Sequence, residues 1–216
     1  MKSNNNKKIY FASDNHLGAP NYNSSLKREK HFVQWLDFIK KDAQEIFLLG
    51  DLFDFWFEYK KVVPKGFVRV LGKIAEITDN GTPIHYFVGN HDLWMNDYFQ
   101  MELGVKVYRS PKDFNIMKKT FYIGHGDGLG PHDKGYKIMK RVFSNSFAKI
   151  LYRLIHPDIG IRLGQYFSQK NKIISGDKDV NFLGDDNEWL AKYSRKKLQE
   201  KHRDYFIFGH RHLPIQ

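Results

Sequence analysis

Five of the ten histidines in this 216-residue chain stand where a short apolar run ends in a polar cluster. Asp14 and His16 close "KKIYFASDNH". Asp51 and Asp54 follow "EIFLLG". Asn90, His91 and Asp92 follow "PIHYFVG". His125 and Asp127 follow "TFYIG", and His210 and His212 follow "YFIFG". Carboxylate, carboxamide and imidazole without any cysteine form a donor set for hard or borderline divalent metals such as manganese, iron or zinc. The donors are too many for one ion, and two ions sharing a bridging carboxylate fit better. Such a pair clamps an oxyanion, supplies hydroxide at neutral pH and neutralises the charge that burdens phosphoryl transfer.

Each piece alone has an ordinary explanation. An aspartate after a strand is usually a turn residue or a helix cap. A single histidine is more often a surface or hydrogen-bonded core residue. The chain carries its own control: His31, His85, His132, His156 and His202 have no such placement and read as structural. That the other five gather at equivalent positions is not turn chemistry, and the whole constellation reads as a site.

The elements that must position these groups follow from the same runs. Ile9–Ala12, Ile46–Leu49, Ile84–Val88, Phe121–Ile123 and Tyr205–Phe208 have strand length and β-branched or aromatic content. Helical patterns over 26–44 and 65–79 separate the first three, predicting an α/β sheet with crossovers. In open α/β sheets, ligands bind at the carboxyl ends of strands. Four of the five runs place a glycine directly before the polar cluster, where the backbone can turn or approach a ligand closely.

Composition sets outer bounds. Hydrophobic residues make up 41% and charged residues 27%, as in a globular protein with one substantial core. The absence of cysteine excludes disulfides and thiol nucleophiles and fits a reducing compartment. "MKSNNNKK" lacks the apolar stretch of a signal peptide, and no run reaches the ~18 residues of a membrane span. A cytoplasmic location is expected. A net charge of +11 favours anionic partners: nucleic acid, a phosphorylated substrate or an anionic membrane surface.

In order along the chain, D-x-H, G-D-x-x-D, G-N-H-D, a later histidine and G-H-x-H resemble the calcineurin-like metallophosphoesterase family. The resemblance implies a sandwich of β-sheets flanked by helices. It also implies two divalent ions, with manganese favoured and iron or zinc permitted. Carried over by motif, Asp14, His16, Asp51 and His212 would hold one ion. Asp51, Asn90, His125 and His210 would hold the other, with Asp51 as bridge. His91 would donate to the phosphate or protonate the leaving group, and Asp92 would orient it. Asp54, and similarly Asp127, would hold a ligand in place.

The segments between the motifs, "GDLFDFWFEYKKVVPKGFVRVLGKIAE", "GNHDLWMNDYF" and "GHGDGLGPHDKGYK", resemble the branch of that family that hydrolyses UDP-2,3-diacylglucosamine. That implies a UDP-linked acylated sugar substrate, water attack at the α-phosphorus, and release of UMP and 2,3-diacylglucosamine 1-phosphate. Asn90, His91, Asp133 and His210 would touch the substrate, and Ser168, Lys170 and Lys172 would reach the uridine diphosphate. One position departs: better-known members carry arginine where this chain has His91. Relatives also run past the last histidine with at least one more strand, so either the chain continues beyond Gln216 or this member lacks that strand. The runner-up is a nucleotide or nucleic-acid phosphodiesterase of the same chemistry, although no aromatic–basic strand-binding pattern is present and nucleic acid is not an expected partner. A non-catalytic scaffold on this fold is the third reading, opposed by the complete ligand set.

Residues 135–172 interrupt the strand pattern and are expected to form a helical cap inserted in a core of 1–134 and 173–216. Ile138, Met139, Val142, Phe143, Phe147, Ile150, Leu151, Leu154 and Ile155 fall at helical spacing, opposite Lys137, Arg141, Lys149 and Arg153, in a helix stopped near Pro157. Two readings fit: a helix packed on the core, or a cap whose apolar face meets acyl chains and whose basic face meets phosphate or an anionic membrane surface. The second adds peripheral contact with the inner membrane.

Overall fold

Residues 46–49 form one continuous apolar stretch because both faces of their strand are covered. The computed structural model describes residues 7–130, 134–179, 181–184 and 186–215. Its elements are β1 (Lys8–Ala12), α1 (Tyr22–Ile39), β2 (Ala43–Leu48), α2 (Val68–Asp79), β3 (Ile84–Phe87), α3 (Tyr98–Met101), β4 (Lys106–Tyr108), β5 (Lys112–Ile116), β6 (Lys119–Gly124), α4 (Lys134–Ser144), α5 (Ser146–Arg153), α6 (Pro157–Asp179), α7 (Trp189–Glu200) and β7 (Tyr205–Phe208). One sheet runs β1-β2-β3-β4, all parallel; the other runs β5-β6-β7, with β6 and β7 parallel.

Alternation along β2 divides the core. Ile46 and Leu48 pack with α1 and α2 residues such as Leu36, Ile39, Val70 and Ile74. Phe47 and Leu49 pack with Phe87, Ile116 and Ile123 between the two sheets. That is the period of two of a strand buried on both sides. His85 belongs to the same inter-sheet layer. It stacks on Phe47 at 4.4 Å and lies 2.9 Å from Glu45 Oε2. His31, His156 and His202 are exposed, and His132 lies outside the described residues.

The element ends are set by caps. Asn21 accepts from Ser24 N at 3.0 Å and starts α1, which stops before residues 43–44 join β2, so the helix expected over 26–44 is shorter at its far end. Residue 67 enters α2 at φ 58° with no side-chain cap of its own. Its place is taken by Glu29 of α1, whose Oε1 accepts from Arg69 N at 3.0 Å and Val70 N at 3.2 Å. The single helix expected before Pro157 is two: Asn145 breaks it and caps α5 by accepting from Phe147 N at 2.8 Å. Pro157 begins α6 rather than ending a helix, because a first-turn residue needs no N–H partner.

The cap also faces the other way from an ordinary core helix. Phe147, Leu151 and Leu154 on α5 are 68%, 51% and 78% exposed. Lys149, Tyr152 and Arg153 are turned inward to half-buried positions. On α5 the apolar side chains are thus open to solvent, while Phe143 before it packs on the Trp94 ring at 5.2 Å. Among the described residues no helix is long and apolar enough to cross a membrane.

Candidate metal centre

The residues that close the strands leave them by abrupt turns. Asp14, His16, Asp51 and His210 have φ of 56°, 44°, 52° and 69°, the left-handed region that costs a side chain about 1 kcal/mol or more. The turns are locked by Asp14 N to Gly50 O, at 3.1 Å, and His16 N to Asp51 O, at 2.9 Å. Two of the preceding glycines are required by close approach. A Cβ on Gly89 would lie 2.1 Å from Asp51 Oδ1, and one on Gly209 would lie 1.9 Å from Ser13 Oγ. Gly89 clears the space into which the Asp51 carboxylate turns, and Gly209 that of Ser13 and the Asp14 carboxylate.

Three triads of donor atoms result: Asp14, His16 and His212; His16, Asp51 and His91; and Asp51, His125 and His210. Within each, the atoms lie within 4.8 Å of one another. In the first, His16 Nε2 and His212 Nε2 face each other at 3.1 Å, with Asp14 Oδ1 at 4.0 and 3.6 Å. In the third, His125 Nε2 lies 3.3 Å from Asp51 Oδ2 and 3.2 Å from Asn90 Oδ1. The shared members His16 and Asp51 make the three triads one cluster. His125 Nδ1 lies 2.6 Å from the Leu49 carbonyl, which can only accept, so this nitrogen carries the proton and Nε2 is turned to the cluster.

Charge follows the packing. Burial alone would raise Asp51; the imidazoles of His125, His91 and His16 outweigh it and hold the carboxyl well below the usual range. Burial alone would lower His125, yet Asp51, Asp127 and Asp14 raise it to about 10. Burial, with His125 alongside, lowers His210. Burial and the neighbouring Asp51 push Asp92 up to about 7.

His91 is held differently from the sequence expectation. Its Nδ1 lies 2.8 Å from the Asp54 carbonyl and 2.9 Å from Ser168 Oγ. The Asp92 carboxylate instead takes the Tyr86 hydroxyl and, at 2.7 Å, Gly89 N–H. Asp92 thus shapes the loop that carries His91, and the orienting role expected of it falls to Asp54. Asp54 also places Oδ1 3.7 Å from His16 Nδ1. Asp127 is buried and pairs with Lys140 of α4 at 2.6 Å. Ser168 is buried against Asp54 and His91 rather than open to a nucleotide. Asp133 lies outside the described residues. Lys170 and Lys172 lie in α6 with side chains outside them. Tyr86 and Ser13, which hold Asp92 and Asp14 Oδ2 respectively, carry no signal in the sequence because each sits within or beside an apolar strand.

The cluster suits divalent ions. Asp14 Oδ1 is buried without a hydrogen-bond donor, and the first triad turns two imidazole nitrogens and this oxygen toward one point. The donors are nitrogen and oxygen throughout. A sequence model of the calcineurin-like phosphoesterases matches residues 7–214. The chain belongs to this family. It is a metal-dependent hydrolase of the α/β two-sheet class. A UDP-2,3-diacylglucosamine hydrolase of Porphyromonas gingivalis is 38% identical over 96% of this chain and 84% of its own length. One from Histophilus somni is 22% identical over 95% of this chain and 84% of its own. Among solved structures, a protein of unknown function from Aquifex aeolicus aligns with a TM-score of 0.39, at 17% identity, over 62% of this chain and 70% of its own.

Proposed function

We propose that this phosphoesterase hydrolyses UDP-2,3-diacylglucosamine by water attack at the α-phosphorus, giving UMP and 2,3-diacylglucosamine 1-phosphate. The observation that carries the reading is the outward apolar face of α5 on a cap that is joined to the metal cluster. Phe147, Ile150, Leu151 and Leu154 are exposed. The same cap meets the site loop where Trp94 Nε1 donates to the Phe143 carbonyl at 2.5 Å and where Ser168 meets Asp54. Acyl chains and a charged diphosphate are the two halves of one substrate that such a surface suits. The named hydrolase from Porphyromonas, similar along nearly the whole chain, supports it.

In this reading Asp14, His16, Asp51 and His212 hold one ion, and Asp51, Asn90, His125 and His210 the other, with manganese the proposed metal. Bound ions neutralise phosphate charge and lower the pKa of water. The chain's own contribution is orientation. The Asp54 carbonyl holds the Nδ1–H of His91, and Nε2, carrying the second proton of the imidazolium, would face the phosphoester as a donor to its oxygen or as the acid for the leaving group. The exposed apolar residues beside Arg141 and Arg162 also suit contact with an anionic membrane surface.

The test compares three substrates on the purified, metal-loaded protein: UDP-2,3-diacylglucosamine, a small chromogenic phosphodiester and single-stranded DNA. Hydrolysis in ¹⁸O water should favour the lipid nucleotide and put the label in UMP. Label in the sugar phosphate, or preference for either of the other substrates, overturns the assignment.

A further inference from the structure

The cap is seated on the site along one face of α6. Gly160, Gly164 and Ser168 recur every four residues, which puts them on one side of a helix. That side meets the loop after β2. A Cβ on Gly160 would lie 2.2 Å from Tyr59 Oη, and one on Gly164 would lie 2.2 Å from the Phe55 ring. Glycine permits this approach without displacing Tyr59 or Phe55, and the next turn then delivers Ser168 to the loop's buried end. Its Oγ lies 2.9 Å from each of three atoms: the Asp54 carbonyl oxygen, Asp54 Oδ2 and His91 Nδ1.

Donor and acceptor roles follow from what each atom can do. The Asp54 carbonyl only accepts, so His91 Nδ1 carries a proton. The Ser168 hydroxyl donates to the Asp54 carboxylate and accepts a share of the His91 Nδ1–H. Two acceptors, one from the core loop and one from the cap, thus hold the Nδ1–H and set the direction of the ring.

We propose that Ser168 is a positioning residue for His91, coupling the seating of the cap helix to the direction of the ring. The imidazolium would then present Nε2–H to the phosphoester when α6 is docked. The inference rests on the reading of His91 as the group that acts on the phosphoester. It assigns Ser168 a task different from the uridine diphosphate contact expected from sequence. A substrate contact made equally in ground and transition states affects KM; a positioning contact affects kcat.

The experiment uses the full chain with Ser168→Ala, Ser168→Thr and His91→Ala, measuring metal content, kcat, KM and the exchange of the His91 Nδ1–H proton by ¹H–¹⁵N NMR in metal-free and metal-loaded protein. Ser168→Ala should keep its metal and a KM within about twofold of wild type. Its kcat should fall about tenfold, the scale of one hydrogen bond, and the His91 Nδ1–H proton should exchange faster with water. Ser168→Thr, which keeps the hydroxyl, should recover most of both. The double variant with His91→Ala should be no slower than His91→Ala alone. An unchanged exchange rate of the Nδ1–H in Ser168→Ala, or a raised KM at unchanged kcat, overturns the proposal. Full kcat in His91→Ala overturns the reading of His91 instead, and the exchange measurement, which needs no turnover, tells the two failures apart.

Discussion

The Nε2 atoms of His16 and His212 meet at 3.1 Å across 196 residues of sequence, and Asp14 Oδ1 lies 3.6 Å from the second of them. Two imidazolium rings cannot share that distance, and two neutral ones can satisfy it with only one N–H. A divalent ion uses both lone pairs and the carboxylate oxygen together. Asp51 lies in the neighbouring triads with His125 and His210 and with His16 and His91. His212→Ala should therefore mainly empty one ion site, while Asp51→Asn should weaken both and abolish turnover. Metal content by mass spectrometry reads this directly, and two full equivalents in Asp51→Asn would remove the bridging role.

Metal binding should release protons. In the metal-free protein His125 titrates at about 10, held there against burial by Asp51. An imidazole must be neutral to bind a metal, so affinity should rise with pH through the neutral range up to about 10. Calorimetry in buffers of different ionisation enthalpy should detect that proton. The folded pKa lies above the unfolded value of about 6.5. The stabilisation from the protonated pair is thus complete below about 6.5 and lost as pH rises toward 10. Metal-free protein should melt progressively lower over that window, and metal-loaded protein should not follow it.

His91→Ala should lower kcat by about 10²-fold, the scale of a general acid or an oxyanion donor, with metal content close to normal. Its ring contacts the Asp54 carbonyl and Ser168. Loss of both ions in this variant would instead make it a structural member of the cluster.

What was legible in the sequence was whatever depends on local pattern. The strands before Asp14, Asp51, Asn90, His125 and His210 announce themselves by apolar runs, and Gly89 and Gly209 mark where carboxylates need room. The hairpin of β5 and β6 was not legible. Its two-residue turn, Met117 and Lys118, adopts φ of 50° and 65° without the usual glycine or asparagine. Long-range partners were equally hidden: that Asp54 rather than Asp92 takes the His91 ring, and that Ser168 reaches both, depends on where α6 lands. The same holds for the outward face of α5, since an amphipathic pattern fixes two faces but not which one meets solvent.

Glu29 caps α2 from a different helix, so its removal should cost stability without touching the metal cluster. Glu29→Ala leaves Arg69 N and Val70 N without their acceptor, a loss of about 1–2 kcal/mol. The urea midpoint should fall with the slope unchanged, and kcat should stay at the wild-type value. An unchanged midpoint would show that water replaces the carboxylate at no cost.

Acyl-chain recognition should fail selectively when the apolar face of the cap is charged. Phe147 and Leu151 are mostly exposed, so glutamate at both positions buries no charge in the free protein and should leave the melting temperature unchanged. Each methylene of the substrate that loses its contact forfeits about 0.8 kcal/mol, so two such losses amount to roughly tenfold. Phe147→Glu with Leu151→Glu should therefore lower kcat/KM for UDP-2,3-diacylglucosamine by tenfold or more. Hydrolysis of a small chromogenic phosphodiester, which has no chains to place, should change less than about twofold on the same scale. Equal loss of both activities in a correctly folded variant would place the acyl chains elsewhere, while leaving the metal chemistry of the cluster untouched.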